Sequence, residues 1–135
     1  MTSTVVYEGD LRTTCTHLRS SSEVETDAPV DNNGKGERFS PTDLLATSLA
    51  TCALTIMGIK ARAMDLDIKG IKVEVEKLMK PDPRRVSGIN LTFHFPEELK
   101  SLDEKTKTIL RNAADTCPVR YSLHPDIEVN TSWNY

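Results

Sequence analysis

The sequence predicts an α+β protein in which strand segments flank one long apolar helix. Three observations carry this prediction. Apolar residues recur at helical spacing from Ser40 to Met64, "SPTDLLATSLATCALTIMGIKARAM". In residues 71–95, strand segments alternate apolar with polar residues, the period of two that is typical of β-strands, and residues 3–27 show the same alternation less regularly. A second helical pattern covers Leu102–Thr116, and an alternating segment at 127–133 closes the chain.

The length and composition are those of an ordinary globular domain, and we expect a single domain over residues 1–135. The net charge of −3 gives no general reason to expect nucleic acid or an anionic membrane as a partner. We see no apolar run near the roughly 20 residues of a membrane span and no secretory signal. A cytoplasmic protein with reduced thiols is therefore expected.

The first 39 residues predict a three-stranded meander followed by a loop. Residues 3–27 are rich in Thr, Val and Ser, and Gly9-Asp10 and Ser20–Ser22 are turn signals between strands. Residues 27–39, "DAPVDNNGKGERF", have the Pro, Asn and Gly content of a loop. Because this loop leads directly into the long helix, we expect it to lie near the functional part of that helix.

The long helix has a clear start signal. Ser40 can cap it, Pro41 suits the first helical position, and Asp43 stands where a capping box places its acceptor. The predicted core-facing stripe then consists of apolar residues three or four positions apart. Its members are Leu45, Leu49, Cys52, Ile56 and Ile59.

Two half-buried strands are predicted after the helix, joined as an antiparallel pair across "KPDPRRVSG". Their apolar positions alternate with polar ones, among which His94 is expected to be solvated. In the second helix, Ile109, Ala113 and Cys117 fall in line on one side. The strand positions expected to face the core are Ile71, Val73, Val75, Ile89, Leu91, Phe93 and Phe95.

The three cysteines are too few and too scattered for a disulfide scaffold or a zinc site. Cys15 is expected to be a strand residue. Cys52, inside an apolar helix, is either a small core residue or meets something distant in the sequence. Cys117 precedes Pro118 and either caps a short new helix or ends the preceding one. Packing the apolar faces of both helices would bring Cys52 and Cys117 together, and in a reducing compartment such a pair is more often catalytic than structural.

The motif "SPTDLLATSLATC" with Cys52 eleven positions after Pro41, followed 65 positions later by "CPVRYSL", resembles the OsmC/Ohr family of thiol peroxidases. The resemblance covers about residues 7–133. It implies two small antiparallel β-sheets around a long central helix, a second helix, and an intertwined homodimer. Active sites at the subunit interface would then place Cys52 at the base of an apolar pocket next to Cys117.

The resemblance also implies the chemistry. The Cys52 thiolate attacks an organic hydroperoxide, and Cys117 resolves the sulfenic acid as a disulfide. An external dithiol, such as a lipoylated protein, then reduces the disulfide, and no cofactor is required. We therefore expect a cysteine-based peroxidase acting in oxidative stress defence. An apolar lining that favours organic over hydrogen peroxide is expected from Phe39, Leu45, Leu49, Ile56 and Met57.

The positive charge that activates Cys52 is expected from one of two arginines. In hydroperoxide-reducing relatives, an arginine from the N-terminal region holds the thiolate. Arg12 is the closer match by location, and Arg38 stands at the entrance of the helix. The sequence favours Arg12 slightly.

The carboxylate partner of that arginine departs from the family pattern. Relatives carry a glutamate directly after the helix-start proline, where this chain has Thr42. Asp43 follows, but it lies nine positions before Cys52 and so nearly on the opposite side of an ideal helix. Its more natural role is to cap with Ser40. Glu37, in the adjacent loop, is the candidate replacement.

Three alternatives to the peroxidase stay open. The chain could keep the fold but bind or process another thiol-reactive or apolar ligand. It could also be a non-catalytic dimeric module in which both cysteines are packing residues. A Cys-His-Asp hydrolase is disfavoured because no histidine stands in a motif beside either cysteine.

Overall fold

The computed structural model describes residues 1–135, which form two compact units, Met1–Leu45 and Ala46–Tyr135. The elements follow the predicted order of strands, long helix, strands, helix and strand, except that three helices rather than one precede the last strand. The single domain over residues 1–135 stays a prediction. Each unit contains one three-stranded sheet.

The first unit contains the predicted meander. Its strands are β1 (Ser3–Gly9), β2 (Arg12–His17) and β3 (Glu23–Asp27), arranged antiparallel in that order. The turns fall where the sequence signals them, after Gly9 and around Ser20–Ser22. Cys15 lies in the middle strand, as expected of a strand residue, between Val5 and Val24.

The loop after β3 is closely packed. Ala28 accepts a backbone hydrogen bond from Gly36, and Pro29 accepts from Gly34. A Cβ atom on Gly34 would lie 1.7 Å from the carbonyl oxygen of Ala28, so no other residue fits there without moving the backbone. The loop therefore has a defined conformation where it enters the long helix.

The long helix, α1 (Pro41–Arg62), begins with the predicted capping box. The backbone N–H of Asp43 donates to Ser40 Oγ at 3.0 Å, and the N–H of Ser40 donates to Asp43 Oδ2 at 2.9 Å. This confirms the capping role of Asp43.

The second sheet joins β4 (Lys72–Lys80), β5 (Arg85–His94) and β6 (Glu128–Asn134) in that order. The β4–β5 hairpin is antiparallel as predicted, but β6 runs parallel to β5, so the expectation of two antiparallel sheets was wrong for this one. The reason lies in the connection. Helices α2 (Glu97–Lys100), α3 (Glu104–Asp115) and α4 (Pro118–Ser122) carry the chain back to the beginning of β5, as a parallel pair requires.

The hydrophobic core of the second unit forms between this sheet and its helices. Phe93 is fully buried and stacks on Trp133 with ring centroids 4.2 Å apart. Ile89 and Leu110 are also fully buried. His94 lies on the other face of β5, partly exposed, with its Nε2 3.1 Å from Glu74 Oε2.

The core-facing side of α1 differs from the predicted stripe. Leu45 and Ile59 are 39% and 60% exposed, and Cys52 and Ile56 are half-buried. Only Leu49 of the predicted stripe belongs to the buried face. That face is otherwise built largely from alanines, whose short side chains let the helix pack closely: Ala46, Leu49, Ala50, Ala53, Met57 and Ala61.

By length and composition alone, α1 could cross a membrane, with a mean hydropathy of 1.6 over 18 residues. This corrects the expectation that no apolar run approaches that length, because Ala, Thr, Ser and Gly separate the larger side chains without adding charge. A helix in the core of a protein passes the same test, so the finding is weak evidence for a membrane. Six α1 residues are buried in the structure. The cytoplasmic location stays a prediction.

Candidate functional site

The second unit brings Cys52 and Cys117 together. Cys52 is half-buried near the middle of α1, and Cys117 is fully buried at the start of α4. Both are free thiols, and the Cys52 side chain lies close enough to Cys117 to raise the pKa of its thiol. Two residues that are 65 positions apart in the sequence therefore present adjacent sulfur atoms, which is the first requirement for a disulfide.

Cys117 caps α4, as one of the two sequence alternatives predicts. Its Sγ accepts a hydrogen bond from the backbone N–H of Arg120 at 3.4 Å, and Pro118 occupies the first helical position. The Arg120 side chain pairs with Asp115 at 3.3 Å, between Nη1 and Oδ1. The cap fixes the position of the sulfur.

Burial raises the pKa of the Cys117 thiol, and its interaction with the nearby Cys52 thiol raises it further. The N–H of Arg120 acts in the opposite direction, but burial is the larger effect. Cys117 is therefore a neutral thiol at neutral pH. Of the two cysteines, only Cys52 is partly exposed to solvent.

The first unit contains an ion-pair network around Arg12. The guanidinium binds Asp27 through two parallel hydrogen bonds, Nε to Oδ1 at 2.7 Å and Nη2 to Oδ2 at 2.8 Å. Nη2 also donates to Glu37 Oε2 at 3.0 Å, and Nη1 lies 3.8 Å from Glu25 Oε2. The guanidinium lowers the pKa of Asp27, and the Asp27 and Glu37 carboxylates raise that of Arg12. Arg12 and Glu37 are thus joined by a hydrogen bond, and their role at Cys52 stays a prediction.

The structure connects Arg38 differently. Its Nε lies 3.3 Å from Glu25 Oε2, and its Nη1 donates to the backbone oxygen of Glu37 at 3.0 Å. No side-chain pair joins Arg38 to Glu37. The Arg38 side chain is about half exposed and that of Glu37 is mostly exposed, whereas the Arg12 side chain is largely shielded from solvent.

Asp27 belongs to this network, although no motif or period in the sequence singles it out. Its side chain is 1% exposed and holds Arg12 from the opposite position in the neighbouring strand. A signal was present, because a β2–β3 hairpin centred between Arg19 and Ser20 pairs Arg12 with Asp27. The signal lies in the register of the meander, not in the presence of its strands alone.

The expected pocket residues fall into three groups. Phe39 and Leu45, in the first unit, are exposed, whereas Leu49 and Met57 are enclosed in the core of the second. Ile56 lines an apolar groove of about 500 Å³ between α1 and α3. Ile56 is one helical turn from Cys52, and Thr116, also in the groove, directly precedes Cys117. The full lining is Ile56, Ile59, Lys60, Ala63, Ile109, Asn112, Ala113 and Thr116.

These features define an α+β protein with a paired-thiol site, one cysteine coming from a long helix and one from the cap of a short helix. The family model of OsmC-like proteins matches residues 34–132. The chain therefore belongs to the OsmC-like family, as the sequence resemblance indicates.

Solved structures agree with this assignment. A protein from Psychrobacter arcticus, named for a suspected role in osmotic stress and detoxification, is 57% identical, with 99% of this chain and 96% of that chain covered and a TM-score of 0.94. An organic hydroperoxide resistance protein OsmC from Legionella pneumophila is 16% identical, covering 100% and 98%, with a TM-score of 0.76. A third, from Vibrio cholerae, carries captopril in one active site and is 17% identical, covering 99% and 92%, with a TM-score of 0.74. The latter two show a shared fold. No protein with a curated description matches the chain significantly.

Proposed function

We propose that this chain is a thiol-dependent peroxidase that reduces organic hydroperoxides and serves in oxidative stress defence. The observation that carries the proposal is the interaction between the free thiols of Cys52 and Cys117, which raises the pKa of Cys117. The Legionella and Vibrio proteins, named for organic hydroperoxide resistance, support it at the level of a shared fold.

The reaction has three balanced steps. The Cys52 thiolate attacks one peroxide oxygen, the O–O bond breaks, and the alkoxide leaves and takes a proton, giving a sulfenic acid and an alcohol. Cys117 then attacks the Cys52 sulfur, which releases water and forms a disulfide. An external dithiol, such as a lipoylated protein, reduces that disulfide by exchange and is itself oxidised.

The roles of the two cysteines follow from their surroundings. Cys52 is the attacking residue because peroxide must reach it from solvent, and it is the more exposed of the two. Cys117 is suited to resolve because its buried, neutral thiol does not compete for the peroxide.

We assign the activating positive charge to Arg12, with Glu37 as the carboxylate that replaces the family glutamate. The observed Arg12–Glu37 hydrogen bond supports this pairing, and the engagement of Asp43 in the capping box argues against Asp43. Arg38 is the weaker alternative because it is more exposed and interacts with Glu25. An ordinary cysteine, with a pKa of about 8.5, needs such a charge to ionise at neutral pH.

A mass-spectrometric experiment tests the thiol chemistry. One equivalent of cumene hydroperoxide should remove two hydrogens from the intact chain and yield a linked Cys52–Cys117 peptide after digestion. The Cys15→Ser variant is the matched control. It should behave like the wild-type chain, since Cys15 takes no part in the proposed reaction. Recovery of both thiols in the free state would contradict the peroxidase and favour a packing role.

A second candidate is a divergent member that processes another thiol-reactive ligand. The specific observation in its favour is Thr42, which replaces the carboxylate expected directly after Pro41. This candidate predicts slow disulfide formation with no sustained turnover when a dithiol is supplied.

We also propose that the chain forms a homodimer in which a second copy covers the exposed side of α1. Only a third of its most apolar 18 residues is buried, and Ile59 is 60% exposed. A helix that is apolar on most sides is normally covered on most sides.

Sedimentation equilibrium should therefore give twice the chain mass of 15.0 kDa. Ile59→Asp should shift the mass to that of the monomer because a charge on a covered apolar face is costly. Val30→Asp, which changes an exposed apolar residue in the loop, is the control and should leave the dimer intact. A wild-type chain sedimenting as a monomer would contradict the dimer.

A further inference from the structure

Asp27 is the only nearly inaccessible carboxylate in the Arg12 network. Its side chain is 1% exposed, against 40% for Glu25 and 62% for Glu37. It accepts hydrogen bonds from Arg12 Nε, from Arg12 Nη2 and, at 3.1 Å, from the backbone N–H of Glu37. Its own backbone N–H donates to the Phe39 oxygen, also at 3.1 Å. Asp27 thus connects β3, Arg12 and the loop before α1.

We infer that Asp27 is a positioning residue, which fixes the plane of the Arg12 guanidinium and leaves its Nη1 edge as the donor for an anion. The inference rests on the proposed function, in which Arg12 stabilises the Cys52 thiolate. It adds a residue that is neither the family arginine nor its glutamate partner.

The hydrogen-bond donors of Arg12 support this orientation. A guanidinium has five N–H donors in a fixed fork, and a bidentate carboxylate determines the direction of all of them. Asp27 occupies Nε and one donor of Nη2, and Glu37 takes another donor of Nη2. The ion pair of Nη1 is with Glu25 Oε2 at 3.8 Å, which is too long for a hydrogen bond. Nη1 is therefore the nitrogen with donors available.

Glu37 alone could not hold this orientation. It makes a single hydrogen bond to Arg12 and is mostly exposed, so water competes for both groups. The two short bonds that Arg12 donates to Asp27 are shielded from water, and charge-assisted hydrogen bonds are strongest in such surroundings. Asp27 also holds the Glu37 backbone, so the position of Glu37 depends on Asp27 as well.

Positioning and simple charge predict opposite effects of removing the Asp27 carboxylate. Loss of a negative charge near Arg12 would by itself favour a thiolate and lower the pH at which Cys52 ionises. Loss of the bidentate hold would let the guanidinium turn away from the thiolate and raise that pH. A merely structural role would leave it unchanged.

The experiment measures the rate of Cys52 alkylation by iodoacetamide against pH in the full chain, with the Cys52 peptide quantified by mass spectrometry. Asp27→Asn should raise the midpoint by about one pH unit, so that alkylation below the midpoint slows roughly tenfold. Asp27→Glu keeps the charge and displaces it by one methylene, and it should also raise the midpoint. Asp10→Asn, which changes an exposed carboxylate, is the matched control and should leave the midpoint unchanged.

A double variant connects the effect to Arg12. Arg12→Ala should raise the midpoint, and adding Asp27→Asn to it should cause no further shift, because the two residues act as one unit. An unchanged or lowered midpoint in Asp27→Asn, with Arg12→Ala raising it, overturns the positioning role. An Arg12→Ala variant with no shift overturns both the inference and the assigned role of Arg12.

A measurement on the wild-type chain covers the case in which the Asp27 variants do not fold. The Arg12 Nε–H should give a resolved nuclear magnetic resonance signal that exchanges slowly with water, because it is held by a shielded carboxylate. Exchange as fast as that of exposed arginines overturns the inference. A chain that shows the alkylation shifts but consumes no peroxide overturns only the peroxidase proposal.

Discussion

Cys52→Ser should reduce the consumption of cumene hydroperoxide to the uncatalysed background. A serine hydroxyl is not ionised at neutral pH and is a far weaker nucleophile than a thiolate, so the first step has no substitute. The side chain differs by one atom, and Cys52 is only half-buried, so the fold should tolerate the change. Peroxide loss in the presence of excess dithiol is the measurement.

The control for this variant is Cys15→Ser, which changes a thiol that is also half-buried but lies in β2, the middle strand of the first unit's sheet. It should retain wild-type turnover. Consumption by Cys52→Ser at the wild-type rate would remove Cys52 from the mechanism, whatever the position of its sulfur.

Cys117→Ser should have an equally large but different effect. The first step still proceeds, so one equivalent of peroxide is consumed and Cys52 becomes a sulfenic acid. Because no second thiol is in contact with it, the intermediate persists and should be trapped by dimedone as an adduct on the Cys52 peptide. Sustained turnover through the Cys52–Cys117 disulfide should be lost.

The contrast between the two variants defines the assignment. Dimedone should label Cys52 in Cys117→Ser but should label nothing in Cys52→Ser. Equal and mild losses of activity in both variants would contradict distinct attacking and resolving roles and would favour two packing cysteines.

Local chemistry made much of the fold predictable. The meander, the capping box at Ser40 and Asp43 and the cap formed by Cys117 each depend on residues that are close in the sequence. Turn-forming and capping residues act through their own backbone, so their effects can be read without knowing the rest of the chain.

The orientation of α1 could not be predicted in the same way. An apolar helix has several stripes with helical spacing, and hydrophobicity alone does not select among them. The predicted stripe chose the large residues Leu45 and Ile59, whereas the sheet packs against small ones such as Ala50 and Ala53. Packing density decided the outcome, and that depends on residues far away in the sequence.

The direction of β6 and the role of Asp27 share a similar cause. Alternation identifies β6 as a strand but does not tell whether it runs with or against β5. Asp27 ends a strand and resembles any solvated loop aspartate until the register places it opposite Arg12. In both cases the missing information was the pairing of segments, which a periodicity does not contain.

The hydrogen bond from the Arg120 N–H to Cys117 Sγ means that the cap of α4 and the proposed disulfide chemistry use the same atom. Serine is among the best helix caps and alanine among the poorest, with a difference of about 1 kcal/mol. Replacing Cys117 by serine therefore removes the thiol while retaining a capping group, whereas alanine removes both. Comparing Cys117→Ser with Cys117→Ala therefore separates the effect of losing the thiol from the effect of losing the helix cap.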